Sequence, residues 1–199
     1  MPLISIQSYS NLGTTDGGTP TGTVYLNQAD KNPRVVVSNG GLTVYNASNT
    51  EYGTIRTNRS FSSGKIYWEI TANITPINTH FAYMPSIMKP GTSISLIPGY
   101  NDPTGYSILS KNETNAALQG IYCCSLDLDN LVFTVTRNGK SWPGLLYKGN
   151  AALPNFAITA GPWFIATSPV CGDTYTMNFG DTLFSYPIPP GFTAANLMP

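Results

Sequence analysis

Short apolar–polar alternations recur along the chain, each bounded by turn residues. In Lys65-Ile66-Tyr67-Trp68-Glu69-Ile70, an extended backbone puts Ile66, Trp68 and Ile70 on one face. In Leu131-Val132-Phe133-Thr134-Val135-Thr136, the side chains of Leu131, Phe133 and Val135 share a face, with Thr134 and Thr136 opposite. Thr174-Tyr175-Thr176-Met177-Asn178-Phe179 repeats the scheme, with Tyr175, Met177 and Phe179 inward. Period-two alternation is what a half-buried strand of a sandwich requires. Asn39-Gly40 and Asn138-Gly139 are hairpin signals, because a type I′ turn needs positive φ at both central residues. Asp129-Asn130 predicts a further tight turn, joining a strand around Tyr122 to the one that begins at Leu131. With 19 Gly and 16 Pro spread throughout, long helices have little room. The pattern predicts an all-β fold, a two-sheet antiparallel β-sandwich.

Two regions depart from it. Residues 1–22 contain Gly13-Thr14-Thr15-Asp16-Gly17-Gly18-Thr19-Pro20, which is linker chemistry. They are expected to form an extended N-terminal arm ahead of a domain at 23–199. Leu3, Ile4 and Ile6 could anchor that arm by adding a strand to a neighbouring subunit. Residues 85–106 carry Pro90-Gly91, Pro98-Gly99 and Asp102-Pro103, and predict a long loop bearing Tyr100 and Tyr106.

Charge narrows the partners. Ten basic and ten acidic residues among 199 leave a net charge of zero, which argues against sequence-independent nucleic-acid binding. It also argues against electrostatic docking to membranes, and no apolar run is long enough to insert. The first residues lack the basic and apolar regions of a signal peptide, so synthesis is expected to end in a cytosol. Three cysteines, with Cys123 and Cys124 adjacent, do not make a disulfide framework. On a strand those two point to opposite faces, as buried free thiols.

Candidate chemistry is sparse. The single histidine, His80, has no Gly-x-Ser-x-Gly elbow with it. Asp127 and Asp129, two apart on a strand, would share a face and could act as an acid pair or hold a cation. A structural role is favoured, with Asp129 bonding the turn backbone. Neither zinc-knuckle spacing nor a phosphate loop is present. No catalytic residue, metal site or cofactor is therefore assigned. Binding is left to aromatics in Gly/Pro-rich settings, namely Tyr100, Tyr106, Trp142 and Tyr147, which could stack a sugar or grip a protein.

Strung together, the motifs resemble a SPRY domain of the bacteriophage and prophage type. The resemblance runs from Asn32-Pro33-Arg34 and Ser38-Asn39-Gly40-Gly41-Leu42 through Gly64-Lys65-Ile66-Tyr67-Trp68-Glu69, similar to the family's Gly-Lys-x-Tyr-Trp-Glu signature. It continues with Leu126-Asp127-Leu128-Asp129, Phe133 and Asn138-Gly139, and ends in Asn178-Phe179-Gly180 and Pro190-Gly191-Phe192. Tyr122-Cys123-Cys124 departs from the small aliphatic run expected there, and residues 85–106 are longer than expected. The resemblance implies a concanavalin-like jelly roll that recognises partners or builds structure without catalysis. No binding residue carries over from it.

The resulting expectation is a non-enzymatic phage virion protein, assembled in the bacterial cytoplasm and displayed on the particle surface. Its partners would be other capsid or tail proteins, with a homo-oligomer favoured by particle symmetry. A capsid decoration or head-fibre role is expected first. The alternatives are host attachment at a tail fibre or tail tip, through a host-surface glycan or protein, and then a glycan hydrolase.

Overall fold

The structure, a computed structural model, describes residues 24–48, 52–74, 83–99, 101–109, 119–141, 145–147, 155–170 and 172–199. Chain order begins with β1 (Leu26–Lys31), β2 (Val35–Ser38), β3 (Thr43–Asn46), β4 (Ile55–Phe61) and β5 (Lys65–Asn73). Next come β6 (Tyr83–Met88), β7 (Tyr106–Leu109), β8 (Gly120–Asp127), β9 (Val132–Arg137) and β10 (Lys140–Ser141). The last are β11 (Leu145–Tyr147), β12 (Asn155–Ala157), β13 (Trp163–Ser168), β14 (Thr174–Asn178) and β15 (Thr193–Ala194). There is no α-helix among the described residues, and so no helix long and apolar enough to cross a membrane.

The strands form two sheets. One has six strands in the order β1-β4-β13-β6-β7-β11. The other has nine, with β10-β9-β8-β5-β14-β3-β2 in line, β12 on β9 and β15 on β5. Neighbours pair antiparallel except β15, which runs parallel to β5. The core lies between the sheets. From the nine-stranded sheet it takes Ile66, Trp68 and Ile70 of β5, Phe133 and Val135 of β9, and Tyr175 and Met177 of β14. From the six-stranded sheet come Ile55 and Phe61 of β4, Ile87 of β6, and Trp163 and Ile165 of β13. Trp68 stacks on Phe133 with ring centroids 5.7 Å apart and planes 8° from parallel. The inward faces are those predicted by the alternation.

The turns divide into one that follows the expected geometry and one that does not. Asn138 and Gly139 have φ of 50° and 69° and form a two-residue connection, with Arg137 opposite Lys140. Asn39 and Gly40 also have positive φ, but the ladder closes at Ser38 opposite Thr43. Four residues therefore make that turn, with the Leu42 N–H donating to the Asn39 carbonyl at 3.1 Å.

Both sheets also carry a covering on their outer faces, which period-two alternation did not anticipate. The region 85–106 is not one long loop. Its first residues, through Met88, belong to β6, and Tyr106 begins β7. Residues 89–105 between them lie over the six-stranded sheet. The Arg56 guanidinium reaches the Thr92 carbonyl at 3.3 Å, and the Thr54 hydroxyl donates to the Leu96 carbonyl at 2.7 Å. Arg56 also pairs with Asp30 at 2.6 Å and lies 4.7 Å over the Phe164 ring. On the other sheet the chain leaves the edge of β5 where Asn178 faces Glu69, and returns as β15 beside Ile66 and Tyr67. The intervening residues 179–192 form a strap across the outer face. Tyr67 and Glu69 are consequently buried, as are the core-facing residues of the same strand.

Gly139 joins turn to strap. A Cβ there would sit 2.6 Å from the Tyr186 ring, and its φ already lies in the left-handed region. Gly139→Ala is expected to cost about 1–3 kcal/mol, read as a lower urea midpoint at unchanged m-value. An unchanged midpoint would show that strap and turn are not in contact in solution.

Candidate functional site

The outer face of the nine-stranded sheet is organised by one carboxylate. Glu69 points away from the core, where an uncompensated charge would be costly. Its Oε1 accepts from the Tyr186 N–H at 2.9 Å and from the Tyr67 hydroxyl at 3.1 Å, and its Oε2 from the Ser185 N–H at 2.9 Å. The strap is thus hooked to the centre of the sheet. Phe184 meets the Tyr67 ring edge-on, 4.8 Å between centroids. Burial first, and then Cys123 and Glu69 beside it, push the Tyr67 phenol far above its ordinary pKa. It therefore remains a proton donor at any physiological pH.

Beside this hook lies a groove of about 410 Å³. Its floor is made from outward side chains of three adjacent strands. Tyr67, Ser125 and Thr134 form one row, and Cys123 and Thr136 belong to the next, as the cross-strand register requires. Strap residues 186–190 form the wall, which carries Pro187, Pro189 and Pro190, and Gly139 closes one end. No side chain lining the groove is charged at neutral pH.

The adjacent cysteines divide between faces as expected. Cys123 borders the groove, whereas Cys124 sits in the core, and both are free thiols. Burial first, and then the proximity of Cys123 and Glu69, raise the Cys124 pKa well above its ordinary value. It is therefore a packed, unreactive thiol.

Asp127 and Asp129 do not form an acid pair on one strand face. β8 ends at Asp127, and Asp129 lies in the turn that follows. Asp127, rather than Asp129, organises that turn. Its Oδ1 accepts from the Asp129 and Asn130 N–H groups at 3.1 and 2.9 Å, its Oδ2 accepts from the Asn130 amide at 2.8 Å, and Lys65 is 3.0 Å away. Asp129 instead accepts from the Gly64 N–H at 2.9 Å, tying the turn to the neighbouring hairpin. No group of three or more His, Cys, Asp or Glu that could hold a metal occurs among the described residues.

Of the aromatics expected on loops, Tyr106 is corrected. It is 5% exposed, with its ring 5.5 Å from Trp163, so it is a core residue at the start of β7. It is buried because residues 106–109 form a paired strand instead of continuing the loop. Tyr147 lies on β11 opposite Ser107. Tyr100, Trp142 and His80 lie outside the described residues, as do Leu3, Ile4 and Ile6 with the rest of the arm 1–22. Sequence reasoning missed Ser125, Thr136 and the strap. The available signals were the polar phase of β8 and β9 and the run Pro187-Ile188-Pro189-Pro190.

Two results test this arrangement. Burial works against ionisation of Asp127, but the Asn130 and Lys65 contacts outweigh it and lower its pKa. A carboxylate with a lowered folded-state pKa adds stability that is complete above its unfolded value, about 4, and is lost as pH falls through the folded value. Asp127→Ala should therefore cost about 1–2 kcal/mol near neutral pH. Its urea midpoint should converge with that of the parent chain below about pH 3, and a pH-independent difference would refute the assignment. In Glu69→Gln an amide donor replaces one acceptor facing a backbone N–H. It should cost about 2 kcal/mol and speed alkylation of Cys123, mapped by mass spectrometry, while Cys124 stays protected. Unaltered Cys123 labelling would mean that Glu69 does not hold the strap.

No protein-family description matches the chain, and no curated protein does. Solved structures do match. The PSpry domain of TRIM65 superposes with a TM-score of 0.55 at 14% identity, covering 78% of this chain and 92% of that one. The SPRY domain of human HERC1 gives 0.54 at 12% identity, covering 76% of this chain and 96% of that one. Stonustoxin gives 0.51 at 11% identity, over 78% of this chain and 27% of that one. At such identities the likeness is one of fold, and with the sheet order, the central β5 and the hairpins on the page the fold is that of a SPRY-like β-sandwich.

Proposed function

We propose that this chain is a non-enzymatic bacteriophage virion protein, displayed on the particle surface as a capsid decoration or head-fibre protein. The SPRY-like fold supports the general part of this reading, because SPRY domains are generally protein-interaction modules. What carries it here is where the acidic side chains go. Glu69 holds the strap, Asp127 and Asp129 hold a turn, and Asp173 accepts from the Tyr175 hydroxyl at 3.0 Å. These carboxylates are committed to shape rather than arranged across a cleft at glycosidase spacing. The neutral, charge-poor composition and the motifs shared with phage-type SPRY sequences support the particle setting. Residues 1–22 supply the attachment in this reading, and the sandwich projects outward.

Deleting residues 1–22 is expected to leave a folded sandwich with an unchanged thermal midpoint that no longer joins particles. Full incorporation of the truncated chain would refute the anchoring role. Immunogold labelling of purified particles is expected to mark the head. Label at the tail would replace decoration by host attachment, and absence of label from particles would overturn the virion reading.

A further inference from the structure

We propose that the groove between the strap and the outer face of β8 and β9 is a binding site for a short, neutral saccharide. The proposal does not depend on the virion reading. Ser125 is 9% exposed, faces the groove, and has no hydrogen-bond partner in the protein. Thr136 on the neighbouring strand likewise has none. A buried hydroxyl without a partner is costly unless a ligand or water supplies one. Ser125 therefore points to an occupant that carries hydroxyl groups.

The remaining lining narrows the class. An anion would find no Lys or Arg in the groove, and a cation would find no free carboxylate. Glu69, the nearest acid, already accepts three hydrogen bonds, from Ser185, Tyr186 and Tyr67. An extended peptide is recognised chiefly through backbone groups at an open strand edge. Here the floor is the face of a sheet in which β8 is paired on both sides, to β5 and β9. Its backbone has nothing left to offer a peptide. A saccharide needs hydroxyl partners on one side and an apolar surface for its C–H face on the other. The groove provides Ser125 and Thr136 on the floor and the Tyr186, Pro187 and Pro189 side of the strap as the wall. Its volume, about 410 Å³, falls within the range of small-molecule sites. Few polar groups set in mostly apolar surroundings is also the usual composition of such sites.

The test uses the full chain and a panel of neutral di- and trisaccharides built from glucose, galactose, mannose and N-acetylglucosamine. Binding is read by saturation-transfer NMR and by protection of Cys123, on the groove floor, from alkylation. At least one panel member is expected to bind and to slow Cys123 labelling. Ser125→Ala and Thr136→Val, each checked for an unchanged thermal midpoint, should weaken that binding about five-fold or more. No binding across the panel would overturn the proposal and leave water as the partner of Ser125. Binding that neither substitution weakens, or that leaves Cys123 labelling unaltered, would overturn it by placing the sugar elsewhere. Protection of Cys123 by a proline-rich peptide but by no sugar would overturn it in favour of a peptide. Particle labelling reports separately on the virion reading, so the two can fail independently.

Discussion

A carboxylate on the outer side of the central strand has to be satisfied, and the rest of the outer face is arranged around that requirement. Glu69 lies at the middle of β5, between β8 and β14, with little access to water. Its charge is accommodated because two backbone N–H groups of the strap and one phenol converge on it. Hydrogen bonds to an ionised acceptor are the strong kind, and removing them in a buried setting costs more than forming them gains. The same contacts fix the strap at 185–186 and bring Phe184 onto Tyr67, so burial of β5 on both faces follows from them.

The groove is a by-product of that geometry. The strap leaves β5 at Asn178 and returns to it at Thr193, so it must arch over the outer face. Its prolines limit how closely the arch can follow the sheet, since they fix φ and supply no N–H to the floor. The Asn138-Gly139 turn limits it at the far end, where only a glycine allows Tyr186 to approach. Side chains of β8 and β9 under the arch are thus shielded without being packed. This distinguishes Ser125 and Thr136 from Thr134, which has interactions of its own, and from Cys124 in the core.

Much of the sandwich was legible in the sequence. Ile66, Trp68 and Ile70 alternate because a strand has period two, and they are inward whatever covers the other side. Asn138-Gly139 specifies its turn because the required φ values are local. Cys123 and Cys124 had to separate for the same stereochemical reason. Tyr106 was misplaced because Gly/Pro-rich flanks look like loop, although the residue itself starts a paired strand. The acid pair at Asp127 and Asp129 failed because the strand ends at the first of them, and strand ends are set by the turn's hydrogen bonds.

The sequence by itself therefore determined which residues are strands, which face of each is apolar and where one tight hairpin closes, since these depend on neighbours in the chain. Only the tertiary structure decided that the polar face of β5 is also buried and that a strap and a groove lie over it. Glu69 meets Ser185 across 116 residues. No local period encodes such a contact, because it exists only once the two sheets have brought both ends of the chain onto the same strand.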